Sequence, residues 1–199
     1  MPYELKSARH LARDILLRAV QPGDTVVDAT MGNGHDTLFL AGRVGPQGRV
    51  YAFDIQKDAV ESTRKLLAEQ DLADRVTLLC RSHAELPEAV PSGVAAVVFN
   101  LGWLPGGDHS ITTQCGSTEK AVSAALGILK PGGVVTICAY PGHAEGAREL
   151  EMLKDRLASL SNKEYNVLRQ TFLNAGPGAP ECFVIQKNSF QKEVSPSAF

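Results

Sequence analysis

Two patterns of apolar positions divide the chain, namely short unbroken apolar runs and longer stretches with helical spacing. Unbroken runs are typical of strands that a parallel sheet buries on both faces. They predict strands at 25–29, 49–54, 75–80, 94–100 and 134–140, followed by 165–173 and 182–187. The helical spacing predicts helices at 3–20, 35–43, 57–70, 118–129 and 144–160, and Ser117 can cap the fourth of them. Strands and helices that alternate in this way indicate an α/β fold with a doubly wound sheet.

The arrangement of the predicted elements indicates a single domain over residues 1–199. The run VAAVVFN at 94–100 is nearly all apolar and predicts the centre of the sheet. The last two strands have no helix between them, so we expect them to pair antiparallel. Residues 1–20 carry the N-terminal helix, and 188–199 are expected to form a frayed tail.

Composition narrows the possible partners. The 199 residues are 44% hydrophobic and carry a formal net charge of −2. Because the protein as a whole is not basic, a nucleic acid would have to bind a local basic patch. No apolar run approaches the roughly 20 residues that span a bilayer, and no signal-peptide pattern is present, so we expect a cytoplasmic protein. The four cysteines lack CxxC spacing. Cys80, Cys138 and Cys182 lie in apolar runs, which predicts buried, reduced thiols and no metal site.

The stretch VVDATMGNGHDT, at 26–37, predicts a ligand-binding strand-to-helix turn. Gly32 and Gly34 allow a tight turn, and the helix that follows presents free N–H groups. The dinucleotide pattern G-x-G-x-x-G fails because Thr37 replaces its third glycine. His35 and Asp36 open the helix, where they either cap it or contact a cofactor. Asp54 ends the second strand 20 positions after Gly34, where an acid can accept hydrogen bonds from ribose.

Basic residues cluster beside the apolar face of the N-terminal helix. Lys6, Arg9 and Arg13 are either a solvated face or a strip that docks RNA phosphates. A homodimer that joins two such strips would enlarge the basic area of a slightly acidic protein.

The combination of D-A-T-x-G-N-G at 28–34, Asp54 and a closing antiparallel strand pair resembles the class I S-adenosylmethionine-dependent methyltransferases. That resemblance implies a Rossmann-like sheet of seven strands with the last one antiparallel, and S-adenosylmethionine as cofactor. The glycine turn would hold its methionine part, Asp54 its ribose, and Ser82 with His83 its adenine. His83 could equally be a surface loop histidine. The cofactor-binding residues expected on this basis are Asp28, Thr30, Gly32, Asn33, Gly34, His35, Asp36, Thr37, Asp54, Gln56, Ser82, His83 and Asn100.

The fourth strand ends in Asn100-Leu101-Gly102-Trp103, which resembles the Asn-Pro-Pro-Tyr motif of enzymes that methylate amino groups on bases, with glycine in place of a proline. An amine nucleophile needs acceptors for its N–H groups, and the Asn100 oxygen can supply one. Trp103 can stack on a flat base. Asp108 or His109 of the long loop 100–118, or His143, could accept the amine proton, and the sequence does not choose between them. Tyr140 and His143 follow the fifth strand at the same sheet edge.

The strings GNGHDT, FDIQ, NLGWLPGGDHSITT and YPGH together resemble a small bacterial family that has carried the label rRNA methylase. Its characterised members are tRNA wobble-uridine methyltransferases, which convert 5-aminomethyl-2-thiouridine to the 5-methylaminomethyl form. The resemblance covers about residues 7 to 187 and implies N-methylation of an aliphatic amine on the tRNA anticodon stem-loop. Two alternatives stay open: a methyltransferase acting on ribosomal RNA or a small molecule, and a nucleotide-dependent oxidoreductase or nucleotide-binding domain.

Overall fold

The computed structural model describes residues 7–189, and these form one seven-stranded sheet covered by helices on both faces. The strands are β1 (Thr25–Asp28), β2 (Arg49–Asp54), β3 (Val76–Cys80), β4 (Val94–Asn100), β5 (Leu129–Ala139), β6 (Tyr165–Gln170) and β7 (Glu181–Lys187). The α-helices are α1 (Ala8–Ala19), α2 (His35–Val44), α3 (Lys57–Glu69), α4 (Leu86–Ala89), α5 (Cys115–Ile128) and α6 (Ala144–Ala158). Within residues 7–189 no helix is long and apolar enough to cross a bilayer.

The sheet confirms the predicted class I methyltransferase architecture. Its strand order is β3-β2-β1-β4-β5-β7-β6, with β4 at the centre as its apolar sequence predicts. β1 to β5 run parallel to their neighbours, whereas β7 pairs antiparallel with both β5 and β6. The order reverses between β1 and β4, and ligands of open α/β sheets bind at such a switch point.

Alternate residues of the central strands pack into two separate hydrophobic cores, one on each face of the sheet. Val27, Val97 and Phe99 point to the face covered by α5 and α6. Val26, Ala96 and Val98 point to the face covered by α1, α2 and α3. This division follows from the two-residue period of a strand, which sends successive side chains to opposite faces.

The N-terminal helix packs where the sheet turns antiparallel. Ala8 and Ala12 of α1 are buried against Cys138, Cys182 and Val184 of β5 and β7. The small side chains allow a close approach, and Ser7 caps the helix by accepting the His10 amide hydrogen. Helix α1 therefore lies beside the carboxyl end of β5.

Several sequence-based expectations need correction. The cap of α5 is Gln114 rather than Ser117, whose hydroxyl donates instead to the Gln114 carbonyl at 2.9 Å. Strand β5 begins at Leu129, five residues before the predicted start, because the Pro-Gly-Gly segment forms a bulge at its entrance. Cys80 is exposed because β3 is an edge strand, whereas Cys138 and Cys182 are buried as predicted.

Candidate active site

A cavity of about 670 Å³ opens at the carboxyl ends of the parallel strands. Its wall includes the segments that follow β1, β2, β3, β4 and β5, so the fold brings together residues far apart in sequence. Predicted site residues that line the cavity are Arg9, Thr30, Gly32, Asn33, His35, Asp36, Asp54, Gln56, Ser82, His83, Asn100, Trp103, Tyr140 and His143. Those that do not line it are Asp28, Gly34, Thr37, Asp108, His109 and Arg13.

The turn after β1 is shaped by one glycine that tolerates no side chain. Gly34 has a φ of 82°, and a Cβ at this position would lie 2.7 Å from Oγ1 of Thr63. Thr63 in turn donates to the Gly32 carbonyl at 3.0 Å. Asp54 completes the turn by accepting the Gly32 amide hydrogen at 3.0 Å and the Gln56 amide hydrogen at 3.0 Å. The Asp54 carboxylate is thereby fixed at the cavity wall.

Asp28 and Thr37 support this turn from below. Asp28 is fully buried and accepts the Thr37 hydroxyl hydrogen at 2.6 Å and the Thr30 amide hydrogen at 3.2 Å. Burial, followed by the neighbouring charge of Asp36, raises the pKa of Asp28 to about 7. Both residues were predicted to contact a cofactor directly. Neither lines the cavity, because β1 ends beneath the turn.

His83 is a buried histidine of the cavity wall, not the surface loop histidine that the sequence left open. It is 8% exposed, and its Nδ1 lies 3.2 Å from the Ala29 carbonyl. The carbonyl can only accept, so Nδ1 carries the hydrogen, and Nε2 is an acceptor with no partner within residues 7–189. Burial lowers the pKa of His83, which keeps the imidazole neutral. Ser82 caps the short helical turn after β3 by accepting the Ala84 amide hydrogen.

Asp36, at the start of α2, joins two functional groups of the cavity. Arg9 of α1 donates to it through two nitrogens, with Nε 3.0 Å from Oδ2 and NH2 2.9 Å from Oδ1. The Asn100 side-chain amide donates to Asp36 Oδ2 at 2.8 Å. The Asn100 backbone amide donates to the Thr30 hydroxyl at 2.7 Å. Hydrogen bonding to Asp36 is the main cause that raises the pKa of Arg9.

The predicted basic strip of α1 is not a row of free cations. Arg9 lines the cavity, where it pairs with Asp36 at the start of α2. The Arg13 guanidinium lies 4.1 Å from the ring centre of Phe39, a cation–π contact. Lys6 lies outside the described residues.

The loop between β4 and α5 is a closed structure held at its base. Gly102 and Thr113 exchange hydrogen bonds, and Trp103 forms an isolated antiparallel bridge with Thr112. The tip of the loop reaches over the glycine turn, where the Asn33 side-chain amide donates to the Pro105 carbonyl at 3.2 Å. The long loop 100–118 therefore forms part of the wall of the predicted cofactor site.

Trp103 contacts two histidines. The His109 ring stacks on it at 4.5 Å and 18°, and the His143 ring lies at 4.5 Å and 41°. His143 also caps α6, since its Nδ1 accepts the Gly146 amide hydrogen at 3.2 Å. Trp103 remains 37% exposed. The indole is therefore packed against the protein and still open to a ligand along part of its surface.

The other candidate acid and base groups differ in position. Asp108 is exposed and accepts the Ser110 amide hydrogen at 2.8 Å, a bond within the loop that lowers the pKa of Asp108. Tyr140 lines the cavity, and burial raises its pKa to about 12, so its hydroxyl stays protonated. Of the three proton acceptors that the sequence left open, only His143 lines the cavity.

Sequence reasoning missed the residue that holds the base of the loop. Glu149 of α6 is fully buried and accepts the Thr113 hydroxyl hydrogen at 2.8 Å and the Thr118 hydroxyl hydrogen at 2.5 Å. A signal was available, because Glu149 falls beside Leu150 and Leu153 on the apolar stripe of its helix. Arg81, after β3, also lines the cavity and was not predicted.

The described part of the chain contains no cluster of three or more histidine, cysteine, aspartate or glutamate side chains arranged to hold a metal ion. The cavity instead offers a backbone cradle, a fixed carboxylate and a neutral imidazole. These groups suit the hydroxyls, amine and carboxylate of a nucleoside–amino acid conjugate such as S-adenosylmethionine.

The chain is also similar in sequence to known methyltransferases. The chain is 44% identical over 160 residues to a protein of Arabidopsis thaliana named tRNA (mnm(5)s(2)U34)-methyltransferase, chloroplastic, a match that covers 75% of this chain and 58% of that protein. The chain thus spans a little over half the length of this relative.

Two solved structures share the whole fold. A "putative rRNA-methylase" from Clostridium thermocellum is 41% identical, with a TM-score of 0.91 over 93% of this chain and 100% of that one. A "putative methyltransferase" from Streptococcus mutans, solved in complex with SAH, is 30% identical, with a TM-score of 0.84 over 92% and 99% of the two chains. Residues 50–186 match the family described as "Putative rRNA methylase", and the chain belongs to this family.

Proposed function

We propose that the protein is an S-adenosylmethionine-dependent N-methyltransferase that converts 5-aminomethyl-2-thiouridine to 5-methylaminomethyl-2-thiouridine at the tRNA wobble position. The observation that carries this proposal is the placement of Asn100 in the same cavity as Asp54 and the glycine turn. A methyl donor and an amine acceptor can meet there. The name of the Arabidopsis relative supports the choice of nucleoside.

The cofactor half of the cavity fits S-adenosylmethionine. Asp54 would accept hydrogen bonds from the ribose hydroxyls, and the turn at Gly32 would receive the methionine part. Ser82 and His83 would lie beside the adenine, since both residues line the cavity. When bound, S-adenosylmethionine supplies a methyl carbon made electrophilic by a positively charged sulfur.

The acceptor half can orient an amine. The Asn100 amide group donates to Asp36, which leaves its Oδ1 available to accept an N–H of the substrate. This hydrogen bond aims the nitrogen lone pair at the methyl carbon. The amine nitrogen forms a new bond to carbon while the carbon–sulfur bond breaks, and the sulfur leaves as a neutral thioether. Alignment of this kind can supply roughly 7–11 kcal/mol of the barrier reduction.

The substrate amine must be free of its extra proton before it attacks. After transfer, the nitrogen carries a positive charge and releases one proton to solvent or to a neighbouring group. Water is the proposed acceptor, since Tyr140 keeps its own proton at neutral pH and Nδ1 of His143 already accepts the Gly146 amide hydrogen. We also propose that the exposed part of Trp103 contacts the uracil ring.

The proposed partner is the tRNA anticodon stem-loop. Arg13 and the neighbouring Lys6 of the sequence would approach its phosphates, and a homodimer would bring two such surfaces together. Binding measured at increasing salt tests the contact: replacing Arg13 should weaken RNA binding and flatten its salt dependence. Sedimentation analysis tests the dimer, and a monomer at all concentrations would reject it.

Two experiments test the function itself. Calorimetric titration should show binding of S-adenosylmethionine and none of NAD, and the reverse result would favour the oxidoreductase alternative. Nucleoside mass spectrometry on tRNA from a deletion strain should show loss of the 5-methylaminomethyl nucleoside. An unchanged level in a strain with no redundant enzyme would reject this substrate and leave ribosomal RNA or a small molecule as the acceptor.

A further inference from the structure

We propose that Arg9 of the N-terminal helix is a positioning residue for methyl transfer, which holds Asp36 so that Asn100 faces the amine and which offsets the charge of Asp36. This inference rests on the proposed function. It gives α1 a part in the chemistry, where the sequence alone left open a solvated face or a strip that docks RNA phosphates.

The geometry of the Arg9–Asp36 contact fixes the carboxylate on both oxygens. Nε and NH2 of the guanidinium each donate to Asp36, at 3.0 and 2.9 Å. Two parallel bonds leave a carboxylate little freedom to rotate. The Asp36 side chain is 12% exposed, so few water molecules compete for it, while Arg9 keeps 42% exposure. Asp36 is therefore held in one orientation by a residue of another helix.

The fixed carboxylate then orients Asn100. Its Oδ2 accepts the Asn100 amide hydrogen at 2.8 Å, which settles which end of the amide faces Asp36. The Asn100 backbone is held separately by Thr30 at 2.7 Å. The remaining atom, Oδ1, has no hydrogen-bond partner within residues 7–189 and is the acceptor for the substrate amine. Arg9 thus acts on the amine through two intervening side chains.

The charge of Arg9 has a second consequence. An alkylamine attacks only as the neutral amine, yet a lone carboxylate nearby would stabilise the protonated ammonium form. Arg9 cancels the negative charge of Asp36, so the Arg9–Asp36 pair itself has no net charge. The other titratable groups that face this pair are Asp28 of β1, Cys138 of β5 and Tyr140 after β5. None of these groups is a cation, so Arg9 is the group that balances the charge of Asp36 among them.

The test compares Arg9→Met and Arg9→Lys in the full-length protein, with aminomethyl-thiouridine tRNA as substrate. Methyl transfer is followed as kcat across the pH range, which reports groups in the enzyme–substrate complex. In Arg9→Met the uncompensated Asp36 should move the midpoint of the profile upward by about one pH unit or more, with a loss of about tenfold or more in kcat at neutral pH. Arg9→Lys keeps the charge, so its midpoint should stay near that of the wild type while kcat falls.

Arg18→Met is the matched control, because Arg18 is an exposed residue of the same helix outside the cavity. Unfolding temperature and S-adenosylmethionine affinity are measured for each variant. Arg18→Met should keep both near the wild-type values, whereas Arg9→Met should lower the unfolding temperature because Asp36 loses its partner. An Arg9→Met profile that superimposes on the wild-type profile would overturn the inference. Equal losses in both Arg9 variants with no shift of the midpoint would also overturn it, since they would indicate packing alone.

The outcomes separate this inference from the proposed function. If the wild-type protein does not methylate the aminomethyl nucleoside, the function fails and the role of Arg9 fails with it. If the wild type is active and Arg9→Met only weakens tRNA binding, Arg9 is a phosphate contact and the inference alone is rejected.

Discussion

The Thr113 hydroxyl donates to the buried Glu149 carboxylate at 2.8 Å and at the same time accepts the Gly102 amide hydrogen at 2.8 Å. These two bonds join the base of the loop that carries Trp103 to α6. Burial is the main cause that raises the pKa of Glu149, while its two threonine partners oppose that shift. The loop that carries Trp103 is therefore anchored by a carboxylate that does not line the cavity.

Replacing Glu149 with Ala should destabilise the protein by about 2–4 kcal/mol, because the Thr113 and Thr118 hydroxyls lose their acceptor and a cavity forms. Methyl transfer should fall as well, since the loop loses its anchor. Chemical unfolding and kcat measure the two effects. Glu151→Ala on the same helix is the control: its exposed pair with Lys154 should contribute less than about 1 kcal/mol. Equal stability of the two variants would contradict the anchoring role.

Asp54→Ala should weaken binding of S-adenosylmethionine by about 1.5–3 kcal/mol, because the ribose hydroxyls lose a charged acceptor. The turn should also loosen, since the Gly32 amide loses its partner. Calorimetry measures the change, with Asp58→Ala on the exposed face of α3 as the matched variant. An Asp54→Ala protein that binds the cofactor as tightly as the wild type would remove Asp54 from the site.

Asn100→Ala should reduce kcat by about 10²-fold or more, because the amine loses the acceptor that aligns its lone pair. Affinity for S-adenosylmethionine should change far less. Single-turnover methyl transfer separates the chemical step from binding, and Asn174→Ala in the exposed loop before β7 is the control. A kcat within a factor of about two of the wild type would place the amine elsewhere in the cavity.

Much of the fold was predictable because it depends on long periodic patterns. The apolar runs predicted all seven strands, and the absence of a helix between the last two predicted their antiparallel pairing. The errors fall where tertiary contacts override local preference. Ser117 has the chemistry of a cap, yet Glu145 of α6 accepts the Cys115 amide hydrogen at 2.8 Å and allows α5 to begin earlier. Nothing in the sequence of residues 115–118 indicates that Glu145 lies close to the start of this helix.

The site was predictable as a set of segments but not as a network. Asn100 and Asp36 are both polar residues at the ends of elements, which indicates a ligand-binding edge. Their hydrogen bond joins residues 64 positions apart, and the approach of Arg9 depends on where α1 packs. A basic residue on an amphipathic helix has the same local pattern whether it faces solvent or a buried carboxylate. Only the packing of α1 against β5 and β7 distinguishes the two.

The raised pKa of Asp28 makes a prediction about stability and pH. The folded protein keeps this proton up to about pH 7, whereas the unfolded chain releases it near 3.8. Asp28 therefore favours folding most at acidic pH, and its contribution declines as pH rises toward 7. Asp28→Asn removes this titration, so its stability relative to the wild type should be greater at about pH 8 than at about pH 5. Urea unfolding at both values checks the sign. If the difference in stability between Asp28→Asn and the wild type did not change with pH, it would contradict a raised pKa of Asp28.

The most direct test of the account is methyl transfer by the purified protein to two matched tRNAs. One carries 5-aminomethyl-2-thiouridine at the wobble position and the other carries 2-thiouridine without the amine. With S-adenosylmethionine present, nucleoside mass spectrometry should show the first gain one methyl group on the amine nitrogen, while the second is unchanged. Methylation of both tRNAs, or of neither, would contradict an amine-directed methyltransferase built around Asn100.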